Sequence, residues 1–217
     1  FAQSVSLINR YEGTTVLLGT DLNFNTAYLQ QFNIIGNSSY NIFMGTFDGQ
    51  GHLISNLKFM SSNQYVGLFG FASGSTIKNV ILHSTCNVVS TYNTSQTTSL
   101  NDYAYVGGVV GRCPSCVIEN CVNMGYVGYR GNGTSHALVG GIAGFITCDS
   151  WGTRAVRTTT KPSTAIVRPP SHHVRNCANY GNVLLDGAQK NFHRWDHWAM
   201  HVRQLPHTKL LELWPGC

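Results

Sequence analysis

Charged side chains are scarce: Asp, Glu, Lys and Arg make up only 11% of the 217 residues. Strong formers of exposed helix are therefore few, and the chain reads as strand and turn rather than helix. No run approaches the roughly 18 consecutive apolar residues of a membrane-spanning helix, so no membrane span is predicted. The chain opens at Phe1 with neither an initiator Met nor a basic leader. That start reads as a fragment or a processed form, whose own targeting signal is not legible. Proline is also rare, at 6 residues, and five of the six lie beyond residue 150.

Glycine is what the sequence has in quantity, with 23 residues, of which only four lie after residue 150. The formal charge of +5 is just as uneven. Residues 1–150 carry 5 Lys/Arg against 6 Asp/Glu, whereas residues 151–217 carry 9 against 3 and hold all four Trp. The break predicts two kinds of segment, with the basic balance confined to the second. Its Lys and Arg are dispersed among Pro and Thr and match no nucleic-acid-reading module.

The seven cysteines (86, 113, 116, 121, 148, 177 and 217) are odd in number, so at least one is unpaired within the chain. Cys113 and Cys116 have C-x-x-C spacing, but no second pair follows to complete a tetrahedral zinc site. The glycine-rich surroundings do not supply the βαβ context of a redox motif. A local disulfide or two turn cysteines remain. Cys121 and Cys177 fall at the repeat position of Val80, which reads as a small buried apolar site.

The repeat itself is centred on residues 44–80. Ile54-Ser55-Asn56-Leu57 recurs as Ile77-Lys78-Asn79-Val80. Gly67-Leu68-Phe69-Gly70 returns as Gly108-Val109-Val110-Gly111 and as Gly141-Ile142-Ala143-Gly144. Ile118 follows Gly108 by ten residues, as Ile77 follows Gly67. Recurrence at a kept offset is a solenoid signal and predicts a parallel β-helix. The strands at 54–57, 77–80 and 118–121 are expected to stack in one sheet, with Ile77 inward and Lys78 outward. Asn79, Asn120 and Asn176 share one position, where stacked amides can bond along the stack.

Before this centre, residues 14–22 read as strand, turn and strand, and Phe32–Gly36 as another short apolar segment. The pairs Asp48-Gly49 and Gln50-Gly51 predict a tight corner with positive φ. The stretches Ser84–Asp102 and Gly125–Ser135 read as loop excursions. Possible glycosylation sites are Asn93 and Asn132 in these two and Asn37 in an earlier turn.

The series Asp21 in VLLGTDLNF, then NIIG, then F-x-G-T-F-D-G-Q-G-H over Phe43–His52, the VGLFG box and the later NC-x-N-x-G-x-V units resembles the GLUG-type repeats of bacterial and protist surface proteins. The resemblance covers about residues 14–148 and 173–187. It implies an all-β, right-handed parallel β-helix (β-solenoid) on an extracellular or cell-surface protein, adhesin-like and non-catalytic. It also implies host or cell-surface glycans or proteins as partners, and it brings no catalytic residue and no cofactor.

Parallel β-helices also serve as polysaccharide lyases and glycoside hydrolases, so a carbohydrate-active enzyme is the alternative. Such chemistry needs paired or clustered carboxylates. Residues 1–150 hold Glu12, Asp21, Asp48, Asp102, Glu119 and Asp149, no two closer than nine residues in sequence. A pair can still meet across stacked strands. In the tail, His193, His197 and His201 have i, i+4, i+8 spacing that would hold a metal on a helix face, but no Glu follows the first His. No metal is assigned there.

From Gly141 the offset places the next strand near residue 151, yet the matching Val174-Arg175-Asn176-Cys177 starts 23 residues later than that. The domain expectation is therefore repeats over 1–150, an irregular insertion over 151–173, a further repeat over 174–187 and an irregular or capping tail over 188–217. Two readings stay open for the irregular segments: a projecting loop with an end cap, or translated intron or frame-shifted sequence. The second is preferred, because a repeat that stops, resumes in register and stops again looks like an interrupted gene.

Overall fold

The computed structural model describes residues 1–6, 8–25, 32–93, 102–147 and 173–188. Among them the one helical element is a 3-10 turn at Ala2–Ser4, and the rest of the regular structure is strand. Strands β1 (Thr15–Leu17) and β2 (Leu22–Asn23) come first. Three units of five strands follow. The first is β3 (Thr46–Asp48), β4 (Leu53–Ser55), β5 (Lys58–Ser61), β6 (Tyr65–Val66) and β7 (Phe69–Phe71). The second is β8 (Thr76–Lys78), β9 (Ile81–Leu82), β10 (Asn87–Ser90), β11 (Ala104–Gly107) and β12 (Val110–Pro114). The third is β13 (Val117–Glu119), β14 (Val122–Asn123), β15 (Tyr126–Ser135), β16 (Ala137–Gly140) and β17 (Ala143–Thr147). The pattern resumes as β18 (His173–Arg175), β19 (Ala178–Asn179) and β20 (Val183–Ala188).

Every strand pairs in parallel with its counterparts in the neighbouring units. Five stacked sheets result, β1-β3-β8-β13-β18, β2-β4-β9-β14-β19, β5-β10-β15-β20, β6-β11-β16 and β7-β12-β17, here numbered first to fifth. In the first sheet Phe47, Ile77 and Ile118 are in register and buried. Alternation puts their neighbours Asp48, Lys78 and Glu119 on the outer face.

The glycine boxes stack as expected, with Phe69, Val110 and Ala143 in register. Glycine is required there because a Cβ on Gly108 would lie 2.4 Å from the Gly141 carbonyl oxygen. Ile35 makes a parallel bridge to Phe69, so the Phe32–Gly36 segment is an earlier, incomplete copy of the same box. The segment after the interruption also returns in register, with Val174 opposite Ile118 and Val183 opposite Val127. Residues 151–172 and those beyond 188 lie outside the described residues.

Three expectations are corrected. Residues 54–57 do not share a sheet with 77–80: Ile54 pairs with Leu22 and Leu82 in the second sheet, and the partner beneath Ile77 is Phe47. The likeness arose because two different corners are built alike, Asn56 and Asn79 both turning at φ +56°. Second, Gly125–Ser135 is no loop excursion, because β15 covers most of it, and β10 lies inside the expected excursion 84–102. These third-sheet strands are polar or glycine-bearing, yet they bury Val88, Val127 and Tyr129 against Val66 and Val106 in a second core cluster. At the Asp48 corner it is Gln50 (φ +52°) and Gly51 (φ +77°), not Gly49, that adopt the left-handed conformation.

The first end of the stack is plugged. Phe1 packs on Tyr11, Phe43 and Phe47 with ring centroids 5.1, 5.8 and 6.0 Å apart, and Val5 joins the main core. This covers apolar side chains that the first strands would otherwise leave open to water.

Candidate functional site

The outer face of the first sheet carries a line of charged side chains. Asp48, Lys78, Glu119 and Arg175 occupy successive positions of one column. Their signs alternate, and Lys78 Nζ lies 3.2 Å from Asp48 Oδ2 while Arg175 Nη2 lies 3.3 Å from Glu119 Oε2. An amide ladder runs beside the column. Asn120 Nδ2 donates to Asn79 Oδ1 at 3.2 Å, and Asn79 Nδ2 donates to Asp48 Oδ1 at 2.8 Å, which also accepts the Gln50 N–H at 2.8 Å. The asparagines have positive φ, so one residue type serves both the corner and the ladder.

The fold thus brings together Asp48 and Glu119, 71 positions apart in sequence. Two strand spacings separate them by about 10 Å at the backbone, close to the upper end of the carboxyl separation an inverting glycosidase uses. Lys78 stands between them and is paired to the first. The arrangement cancels charge along the column rather than leaving one acid protonated and the other free.

Desolvation pushes the Asp48 carboxyl up, but hydrogen bonds from Asn79 and Gln50 and the nearby Lys78 ammonium outweigh it and hold the group below the usual carboxylate range. Asp21 is also held low, by the Leu53 N–H at 2.9 Å and by His52 Nδ1 at 3.1 Å from its Oδ1. A carboxylate with a depressed folded-state pKa adds stability that is complete above its unfolded value of about 3.9 and is lost as pH falls through the lower folded value. The thermal midpoint should therefore drop below about pH 4, and Asp48→Asn should lower it at pH 7 while flattening its acid dependence. An unchanged acid limb in Asp48→Asn would remove the column from the account of stability.

A second constellation was not legible in the sequence. Between strands of the fourth and fifth sheets, Tyr65, Phe71, Tyr103 and Tyr105 form a separate buried cluster. Arg112, in register between Phe71 and Phe145, lies 5.3 and 5.7 Å from those ring centroids and 5.2 Å from that of Tyr105. Its Nε is buried without a hydrogen-bond partner. The guanidinium acts as one more flat layer in an aromatic column, held by cation–π contact and packing.

Cys113 and Cys116 are joined in a disulfide, both fully buried. Asn37 is exposed, and its Oδ1 accepts from Asn41 Nδ2 at 3.1 Å. Asn93 is exposed, and Asn132 lies within β15. His193, His197 and His201 fall outside the described residues. Among the described residues, no three His, Cys, Asp or Glu come together as a metal-holding group, and no helix is long and apolar enough to cross a membrane. No family model and no curated protein matches the chain. Among solved structures it is similar to a putative immunoglobulin A1 protease from Bacteroides ovatus, at 13% identity and a TM-score of 0.34, covering 79% of this chain and 61% of that one. A likeness that slight carries no argument about the site.

Proposed function

We propose that the chain is an extracellular or cell-surface β-solenoid module with a structural or adhesive role, wound as a right-handed parallel β-helix. The observation that carries this reading is the use of its polar residues. Asp48, Glu119, Lys78 and Arg175 neutralise one another along a column, and Asn79 and Asn120 bond from unit to unit. Side chains committed to holding units in register build a scaffold. The right hand follows from the strong preference of parallel strands joined by crossovers for that twist. The sequence resemblance to GLUG-type surface repeats supports the location, and the buried disulfide fits an oxidising compartment.

The test is to present the purified chain with pectins, alginates, glycosaminoglycans and cell-surface glycoproteins, scoring binding and product release separately. Retention on a glycan or glycoprotein without product release is expected. Turnover that disappears in Asp48→Asn or Asp102→Asn would replace the scaffold with a carbohydrate-active enzyme.

A further inference from the structure

Cys121 and Cys177 are free thiols that directly follow Asn120 and Asn176, the same left-handed corner in successive units. The backbone is bonded on both sides of them, Asn120 N–H to the Arg175 carbonyl at 3.1 Å and Ala178 N–H to the Cys121 carbonyl at 2.9 Å. Neighbouring chains so paired stand about 4.8 Å apart, inside the Cα separation of about 4.4–6.8 Å that a disulfide spans. The side chains point the same way. Cys177 Sγ accepts the Cys121 N–H at 3.4 Å, and each sulfur also donates to carbonyls at this corner, Cys121 to Glu119 at 3.3 Å and Cys177 to Arg175 at 3.3 Å.

We propose that Cys121 and Cys177 form a dithiol that a small-molecule disulfide of the glutathione class oxidises to a covalent bond between the third unit and the resumed repeat. Access decides the order of events. Cys177 is half-buried whereas Cys121 is fully buried, so only Cys177 meets the reagent. Its thiolate attacks one sulfur of the reagent, forming a mixed disulfide and expelling one thiolate. Cys121 then loses its proton to the expelled thiolate and attacks the Cys177 sulfur, breaking the mixed disulfide and expelling the second thiolate, which takes up from solvent the proton that Cys177 gave up. Two protein thiols are oxidised to one disulfide as one small disulfide is reduced to two thiols. A hydrogen bond between the two thiols, Cys121 donating, holds the Cys177 thiol below its ordinary range, and that same thiol–thiol bond together with burial holds Cys121 above it, which suits attacker and resolver.

The experiment treats the reduced full chain with glutathione disulfide, blocks remaining thiols with iodoacetamide and maps tryptic peptides by mass. Peptide 113–130 linked to peptide 176–190 is expected, with fragmentation between Cys116 and Cys121 assigning the bond to Cys121. Cys121→Val, which places in this column the residue type already present at Val80, should leave Cys177 stopped at the glutathione adduct. Wild-type protein in which Cys177 is alkylated, or stays as the adduct, would overturn the proposal.

Discussion

Ile77→Asp is expected to leave the protein unfolded at 37 °C. Ile77 is fully buried in the first sheet, between Phe47 and Ile118. The substitution removes apolar contacts to both units and leaves a carboxyl with no partner, a combination at or beyond about 4–5 kcal/mol, against a total stability of about 5–15 kcal/mol for a domain. The neighbouring position provides the comparison. An outward Lys78 suggests a neutral site, but the structure places it between Asp48 and Glu119. Lys78→Asp would stack three acids at successive positions and should cost about 1–2 kcal/mol, while Lys78→Gln should cost under about 1 kcal/mol. Denaturant midpoints for the three variants check the ranking. Equal losses for Ile77→Asp and Lys78→Gln would mean the strand faces are assigned the wrong way round.

Gly111→Ala should be nearly as damaging although it adds one methyl group. A Cβ there would lie 2.7 Å from the Tyr105 carbonyl oxygen, 2.8 Å from that of Gly70 and 2.8 Å from the Val66 nitrogen. All three are backbone atoms of paired strands, so relief requires the fourth and fifth sheets to part. A loss of about 3 kcal/mol or more is expected. Gly19→Ala is the control, since a Cβ there meets nothing within 4 Å and no positive φ forbids it. It should be neutral or slightly stabilising. Thermal midpoints compare the two directly, and a Gly111→Ala protein that melts with the wild type would refute the close approach.

What the sequence made legible was whatever tolerates a single residue type. The glycine boxes were readable because a backbone oxygen occupies the space of any side chain. The Asn79 and Asn120 corner was readable because few other residues accept its φ. The same rule caused the register error at Asn56, since identical corner chemistry recurs at a different corner. The third sheet was missed for the opposite reason. Its strands are satisfied by Asn87-Val88-Val89-Ser90 in one unit and by a tyrosine- and glycine-bearing run in the next, so that beyond the Val88–Val127–Val183 column and the Ser61–Ser90 pair the residue types change from unit to unit. Arg112 was invisible because its partners, Phe71, Tyr105 and Phe145, come from three strands and two sheets. Cys121 and Cys177 read only as small apolar fillers, and their proximity needed the third unit and the resumed repeat to be in register.

The connections between sheets differ in how freely their length can drift. From the stacked Val66, Val106 and Val139 of the fourth sheet to the stacked Phe69, Val110 and Ala143 of the fifth, the chain spends two residues in one unit and three in each of the next two. Between the third and fourth it spends residues 62–64 in one unit and 91–103 in the next. Closing a longer flexible loop costs only about 0.6 kcal/mol per doubling of its length, so the second corner can gain residues at little thermodynamic expense. The first has changed by a single residue, taken up between the fourth sheet and the glycine box, so that the boxes stay in register. A peptide grafted near residues 91–103 should therefore be carried as cargo, and a lineage under pressure to change its outward appearance has that corner available for variation while the glycine corner stays within one residue of its length.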